Sequence, residues 1–391
     1  MTTQTLKPSW KFWRFEQIAT NVNVRIDNPS ESGMEHYVGL EHLDPDSLRI
    51  RRWGSPSDVE AGKLFFKTGD IIFAKRRAYQ RKLGVAEFEG ICSAHAMVLR
   101  AKPDVVVPEF LPFFMLSDLF MNRAVEISVG SLSPTINWKT MAVQEFALPP
   151  KHEQERMIAV CKAFEETTAA YESASVATNS YFAALREESF GANAKEMRLN
   201  DLLRDIQAGK SLVGLDEPPT GNLEKAVLKV SAVGRRAFLP TESKTLINQS
   251  EFIHAHSVCH GDVLITRANT PDLVGLVCRV TGDYPNLMLC DKTLRLVPRE
   301  EVPSQLLVEI LRTKAARQYL KANATGTGGA MKNISQAKLR DMPIRFPARE
   351  LWDELVPAFQ AAATSVEEIA NRLAKAKALQ RKATQEMLAG A

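Results

Sequence analysis

Two runs of about 40 residues, 152–190 and 348–388, are rich in Glu, Ala and Lys/Arg; the first has neither Pro nor Gly, and the second has only Pro357 near its start. Each predicts a single long helix, with Pro357 either a first-turn residue or the site of a kink. At ~1.5 Å per residue each would extend about 60 Å, several times the ~12-residue average helix and too far to be covered within one globular domain. In the second run Trp352, Leu355, Phe359, Ala362, Val366, Ile369, Leu373 and Ala376 alternate three and four apart. That is a heptad seam, with Glu367, Glu368, Arg372, Lys375 and Lys377 off it. Met157, Cys161, Phe164, Tyr171, Phe182 and Leu185 follow the same rhythm in the first, although Thr168, Ser175 and Thr178 make its middle more polar. The two rods are expected to cover each other as an antiparallel, intramolecular coiled coil; dimerisation with another copy is the alternative.

Each rod follows an equivalent stretch of chain. Arg14, in the run from Trp10 to Ile18, matches Arg198 in the run from Lys195 to Leu202. Gly69-Asp70-Ile71-Ile72-Phe73-Ala74-Lys75 matches Gly261-Asp262-Val263-Leu264-Ile265-Thr266-Arg267. Pro108, Leu111 and Leu116 match Pro303, Leu306 and Leu311, and the spacing from Ile136 to Pro149 is identical to that from Ile334 to Pro347. The offset drifts through the early blocks and then locks, so a variable globular domain precedes a length-critical rod in each half. Short apolar runs at 37–40, 71–74, 96–99, 227–230, 263–266, 276–280 and 294–297 predict strands, and 109–125 and 304–322 predict helices. The expected fold class is α+β: two α/β domains in a pseudo-two-fold repeat, separated by the paired helices. The boundaries are 1–149, 150–191, 192–347 and 348–391.

With 391 residues, 45% of them hydrophobic and 25% charged, the chain can bury real cores. No window approaches the ~18 apolar residues of a membrane span, and the N-terminal residues have no export signal pattern, so a cytoplasmic location is expected. The five cysteines, Cys92, Cys161, Cys259, Cys278 and Cys290, are scattered without a Cys-x-x-Cys pair, as for reduced thiols.

The net charge of +4 says little, but its distribution says more. Lys75, Arg76, Arg77, Arg81 and Lys82 crowd the end of the Gly-Asp strand, with Tyr79 and Gln80 between them and no acid; Arg49, Arg51 and Arg52 form a second cluster. Such bases suit duplex DNA, because Lys and Arg displace counterions at phosphates and Arg and Gln make bidentate contacts to base edges. A solvated basic turn is the bland alternative. The candidate contacts are Lys75, Arg76, Arg77, Gln80 and Lys82 in the first domain and Arg267 and Asn269 in the second. Further candidates are Ser131, Ser133 and Asn137 in one Gly/Ser/Thr-rich loop and Thr327, Lys332 and Asn333 in the other.

Signatures of chemistry are missing. Gly209-Lys210-Ser211 ends like a P-loop, but position 204 is Arg. The glycines at 326–329 do not open a helix after a strand, and neither Pro149-Pro150 nor Pro218-Pro219 belongs to an amino-methyltransferase motif. Glu242-Ser243-Lys244 has no Pro-Asp partner for a nuclease. His254, His256, Cys259 and His260 lack a second pair at zinc-finger spacing, so no metal is expected.

The duplicated layout, the two Gly-Asp strands and above all Phe146-Ala147-Leu148-Pro149-Pro150-Lys151-His152-Glu153-Gln154-Glu155 resemble the DNA-specificity (S) subunits of type I restriction-modification systems. The second half departs from that motif, since Phe346-Pro347-Ala348-Arg349-Glu350-Leu351 lacks the second Pro and the Glu-Gln. The resemblance implies two target-recognition domains, each reading one half of a split site on double-stranded DNA, held apart by the helices. It implies a non-catalytic chain without a cofactor of its own. Modification (methyltransferase) subunits, usually two, would supply S-adenosylmethionine and flip the adenine, and restriction/translocase subunits can join them. The other function classes are a coiled-coil scaffold or regulator, a specificity subunit of a related defence system, and a stand-alone DNA methyltransferase.

Overall fold

The computed structural model describes residue 7 and residues 9–221, 223–326 and 331–388. The chain divides into two compact units, Met1–Glu172 with Asn371–Ala391, and Ser173–Ala370.

In the first unit the strands Ala19–Val22, Ala96–Ala101, Ile71–Ala74 and Leu83–Val85 lie in that order in an antiparallel sheet. Every residue of Ile71–Ala74 is buried, which is why it reads as a continuous apolar run. Its alternate side chains feed two cores, as a strand's period of two requires. Ile71 and Phe73 join Phe15, Leu111, Phe114 and Phe120, while Ile72 and Ala74 join Val38, Phe66 and Val98. The second core lies against a sheet ordered Arg25–Ile26, Lys63–Phe66, Gly90–Cys92, Tyr37–Val38, in which the last pair is parallel. The expected helix over 109–125 is two helices, Phe110–Leu116 and Asp118–Glu126. The break is at Ser117, whose hydroxyl accepts the Phe120 N–H and so caps the second.

The second unit carries an antiparallel sheet ordered Leu203–Ala208, Thr293–Pro298, Val263–Thr266, Val277–Arg279. A second sheet is ordered Gly214–Leu215, Ser243–Leu246, Ala226–Leu228, Tyr284–Met288, Ser257–Val258. Here too the expected helix is interrupted, into Ser304–Leu311 and Lys314–Asn323, and the hydroxyl of Thr313 supplies the cap to Ala316. Each unit is closed by a two-stranded ribbon that leads into a long helix: Lys11–Arg14 pairs with Glu145–Leu148, and Lys195–Arg198 with Pro343–Phe346. The content is α+β.

The long helices are Lys151–Ser189 and Trp352–Leu388. A 3-10 turn, Arg349–Leu351, precedes the second, which continues through Pro357 without interruption. Within the first unit, Ile158 and Cys161 share a core with Leu388, so the beginning of one helix meets the end of the other. Within the second unit, Phe182 and Phe190 lie 5.9 and 6.0 Å from Phe359, and the end of the first helix meets the beginning of the second. The seam residues from Trp352 to Ala376 are buried or half-buried, whereas Glu367, Glu368, Arg372, Lys375 and Lys377 are exposed. Among the described residues no helix is long and apolar enough to cross a membrane.

The Pro-Pro-Lys-His-Glu-Gln stretch is a clasp. Gln154, fully buried, accepts the Val107 N–H at 2.8 Å and donates to the Pro149 carbonyl at 2.9 Å. Glu153 accepts from the Trp10 indole at 3.2 Å and the Ser9 hydroxyl at 3.1 Å. These bonds fix the helix start to the ribbon and to the loop before the Phe110 helix. The second unit lacks both residues and makes a smaller join, in which the Trp352 indole donates to the Pro347 carbonyl at 3.0 Å.

Candidate nucleic-acid interface

In each unit a Gly-Asp turn opens the strand that leads to the basic residues. Gly69, at φ +88°, takes the left-handed conformation that a side chain would disfavour and turns the chain into the Ile71–Ala74 strand. Asp70 then accepts the Lys67 N–H at 3.0 Å and a bidentate pair from Arg100 at 2.7 and 2.8 Å. In the second unit Gly261 has φ +86°, and Asp262 accepts the Cys259 N–H at 2.9 Å and pairs with Arg295 at 3.0 Å. The Gly-Asp motif therefore anchors the strand to its neighbour, and Arg100 and Arg295 are the partners that sequence reasoning missed. Burial pushes the Asp262 carboxyl above its ordinary range against the pull of the Cys259 N–H and Arg295.

At the far end of that strand the 75–82 segment meets the 128–137 loop. The Ile136 N–H donates to the Lys75 carbonyl at 2.9 Å, Arg76 and Thr135 form an antiparallel bridge, and the Arg77 N–H donates to the Pro134 carbonyl at 2.7 Å. Arg77 also donates through its guanidinium to the Ser133 hydroxyl at 3.1 and 3.2 Å. Arg77 and Arg81 both hold positive φ, 59° and 53°. For a side chain other than glycine that conformation costs about 1–2 kcal/mol, so the surrounding bonds must impose it.

The bases divide by what holds them. Arg81 is committed to Asp46, Asp118 and the Leu116 carbonyl. Lys82 donates to the Leu40 carbonyl at 2.9 Å. Lys75 is half-buried, and that burial lowers its pKa from the usual amine range. Arg76 is half-buried with no side-chain hydrogen bond or ion pair among the described residues, and exposed Arg77 leans on Ser133. Gln80 is half-buried, Ser131 is exposed, and Asn137 caps the Trp138–Ala142 helix by accepting the Lys139 N–H. Among the described residues the fold thus gathers Lys75, Arg76, Arg77, Ser133 and Asn137 around one backbone junction. Arg49 and Arg51 instead line a cavity of about 630 Å³ beside Glu165 and Glu172, and Arg52 pairs with Asp44. Burial there pushes the Glu165 carboxyl up, and Arg49, Lys162 and Arg51 oppose it.

The second unit repeats the junction with fewer charges. The Ile334 N–H donates to the Arg267 carbonyl at 2.9 Å, and Ala268–Asn269 pairs with Lys332–Asn333. The Arg267 guanidinium donates to Asn333 at 3.3 Å, the Asn269 side chain accepts the Thr270 N–H at 2.8 Å, and Lys332 reaches the Gly326 carbonyl at 3.2 Å. Thr327 lies outside the described residues. Among the described residues no group of three or more His, Cys, Asp and Glu could hold a metal ion.

Sequence reasoning also passed over Leu132, which is 90% exposed beside the named serines, and Val129, 79% exposed. The available signal was a leucine alone among Gly, Ser, Pro and Thr in 130–135.

Residues 58–175 match the family model of the type I restriction modification DNA specificity domain. A stretch of 184 residues is 27% identical to the EcoEI type I restriction enzyme specificity subunit of Escherichia coli, covering 47% of this chain and 31% of that relative, so the chain matches about a third of the relative's length. Among solved structures, the fold is similar to the type I restriction-modification S subunit from M. genitalium, with a TM-score of 0.60 at 11% identity over 99% of this chain and 98% of that one. It is also similar to a chain in a structure of complex assembly and conformational transition of a type I R-M system, with a TM-score of 0.57 at 20% identity over 98% and 97%.

Proposed function

We propose that this chain, which carries a type I restriction modification DNA specificity domain over residues 58–175, is the DNA-sequence specificity subunit of a type I restriction-modification complex. In this reading each unit recognises one half of a split duplex target. One observation carries it: both units present basic and amide side chains on the same backbone junction, Ile136 N–H to Lys75 and Ile334 N–H to Arg267, while the side chains themselves differ. A common frame with unlike side chains is what reading two unlike half-sites requires.

The long helices, in this reading, form an antiparallel coiled coil that relates the units by an approximate two-fold axis and sets the spacer between half-sites. The shared order of the four-stranded sheets and the opposed helix directions within each unit support that. The chain binds and does not catalyse. Methyl transfer belongs to modification subunits, two per chain, that bring S-adenosylmethionine, and a restriction motor can join them, all in the cytoplasm.

The test is to map methylated adenines in cells with and without this chain, where a split motif methylated only in its presence is expected. Inserting one heptad into both helices adds about 10 Å, or about three base pairs of duplex, to the preferred spacer. An unchanged spacer refutes the ruler.

A further inference from the structure

The 128–135 turn is more firmly built than an exposed surface loop needs to be. Val129 and Thr135 exchange backbone hydrogen bonds at 3.1 and 2.9 Å, Gly130 turns the chain at φ +119°, and Thr135 donates its hydroxyl to the Ser133 carbonyl at 3.1 Å. The Arg77 N–H and guanidinium fasten Pro134 and Ser133 from outside. From this fixed base Leu132 projects 90% exposed, with Val129 beside it. A lone exposed leucine is ordinary. One held on a braced turn against Arg76 and Arg77, with no acid anywhere in 128–140, is a small apolar tip set in a cationic surface. The second unit pairs the same features: Met331 is 53% exposed just before Lys332, which opens the strand paired with Ala268–Asn269. Positive charge around an apolar tip complements a nucleic acid groove, in which phosphates flank the C5-methyl of thymine, the apolar group a base pair presents in the major groove.

We propose that Leu132 is a specificity-determining residue whose side chain packs on the C5-methyl group of one thymine in the half-site read by the first unit. This rests on the reading of the chain as a DNA specificity subunit.

The experiment uses the tagged full chain isolated from its own cells with the subunits that accompany it. A randomised duplex library defines the selected site, and each thymine of that site is then replaced by deoxyuridine, which lacks the methyl. At one thymine the replacement should weaken wild-type binding about fivefold, the worth of a buried methyl group or slightly more. Leu132→Ala should weaken binding to the thymine duplex by a similar factor and be indifferent to the replacement, while Leu132→Met keeps most of the affinity. The salt dependence should be the same for all three proteins, because no phosphate contact is removed. If wild type selects a site and no deoxyuridine matters, or if Leu132→Ala loses as much on the methyl-free duplex, the inference falls and the specificity reading stands. A wild-type complex that selects no sequence overturns the specificity reading and this inference with it.

Discussion

The two units hold their basic junction segments alike and hold the long helices differently. In both, a Gly-Asp turn braced by an arginine of the next strand (Arg100, Arg295) delivers a strand, and the residue just after that strand is clamped by a buried isoleucine N–H. The ties to the long helices share no such plan. In the second unit Arg186 pairs with fully buried Glu309 at 2.6 Å, while in the first Arg381 meets Asp118 at 3.2 Å with its side chain 58% exposed. A backbone frame can be repeated while side chains diverge because its bonds are sequence-independent. An ion pair, once buried, is no longer adjustable.

The largest effect should come from breaking the buried tie. Arg186→Met leaves Glu309 with the Gln305 amide and Arg312, whose own charge is disfavoured by burial. The second unit should lose about 3 kcal/mol in urea unfolding, the usual result of orphaning a buried charge. Arg381→Met in the first unit should cost under ~1 kcal/mol, since exposed pairs contribute little. Equal losses would erase the contrast. Next, Arg76→Ala should cost about 1–3 kcal/mol in binding and relax preference at one position of one half-site, leaving the other half-site intact. Arg267→Ala should do the converse, and methylation-site profiles separate the two. A change in both half-sites from either variant would mean that the units do not read independently.

The two long helices were legible because runs of helix formers with at most one Pro, near the start, are a local fact of the sequence. The heptad positions from Trp352 to Ala376 turn inward as the three-four rhythm requires. The candidate junction was legible only as a neighbourhood. Charge density nominates Arg76, Arg81 and Lys82 alike, yet Arg81 is spent on Asp46 and Asp118 and Lys82 on a carbonyl, and those acceptors lie 35 to 42 residues away. Pairing of that range leaves no local mark. Ser117 and Thr313 did leave one, as N-cap residues within otherwise helical runs.

The smallest expected effect concerns the paired Gly-Asp turns and pH. The Asp262 carboxyl is raised above its ordinary 3.8 by burial, so the folded second unit prefers it protonated. That contribution is present below the unfolded value and is lost as pH rises through it toward the folded one. The Tm of wild type relative to Asp262→Asn should therefore fall slightly from pH 3 to pH 6. A rise over that range would mean that Arg295 outweighs burial.

Leu388 and Met387 complete the core of the first unit, whose larger stretch of chain ends at Glu172. Nearly 200 residues of the second unit separate these pieces. During synthesis the first unit therefore cannot finish its core until 371–388 have left the ribosome, by which time the later-made unit has its whole chain. A nonsense codon between the second unit and Met387 would injure the unit whose chain is mostly translated before it.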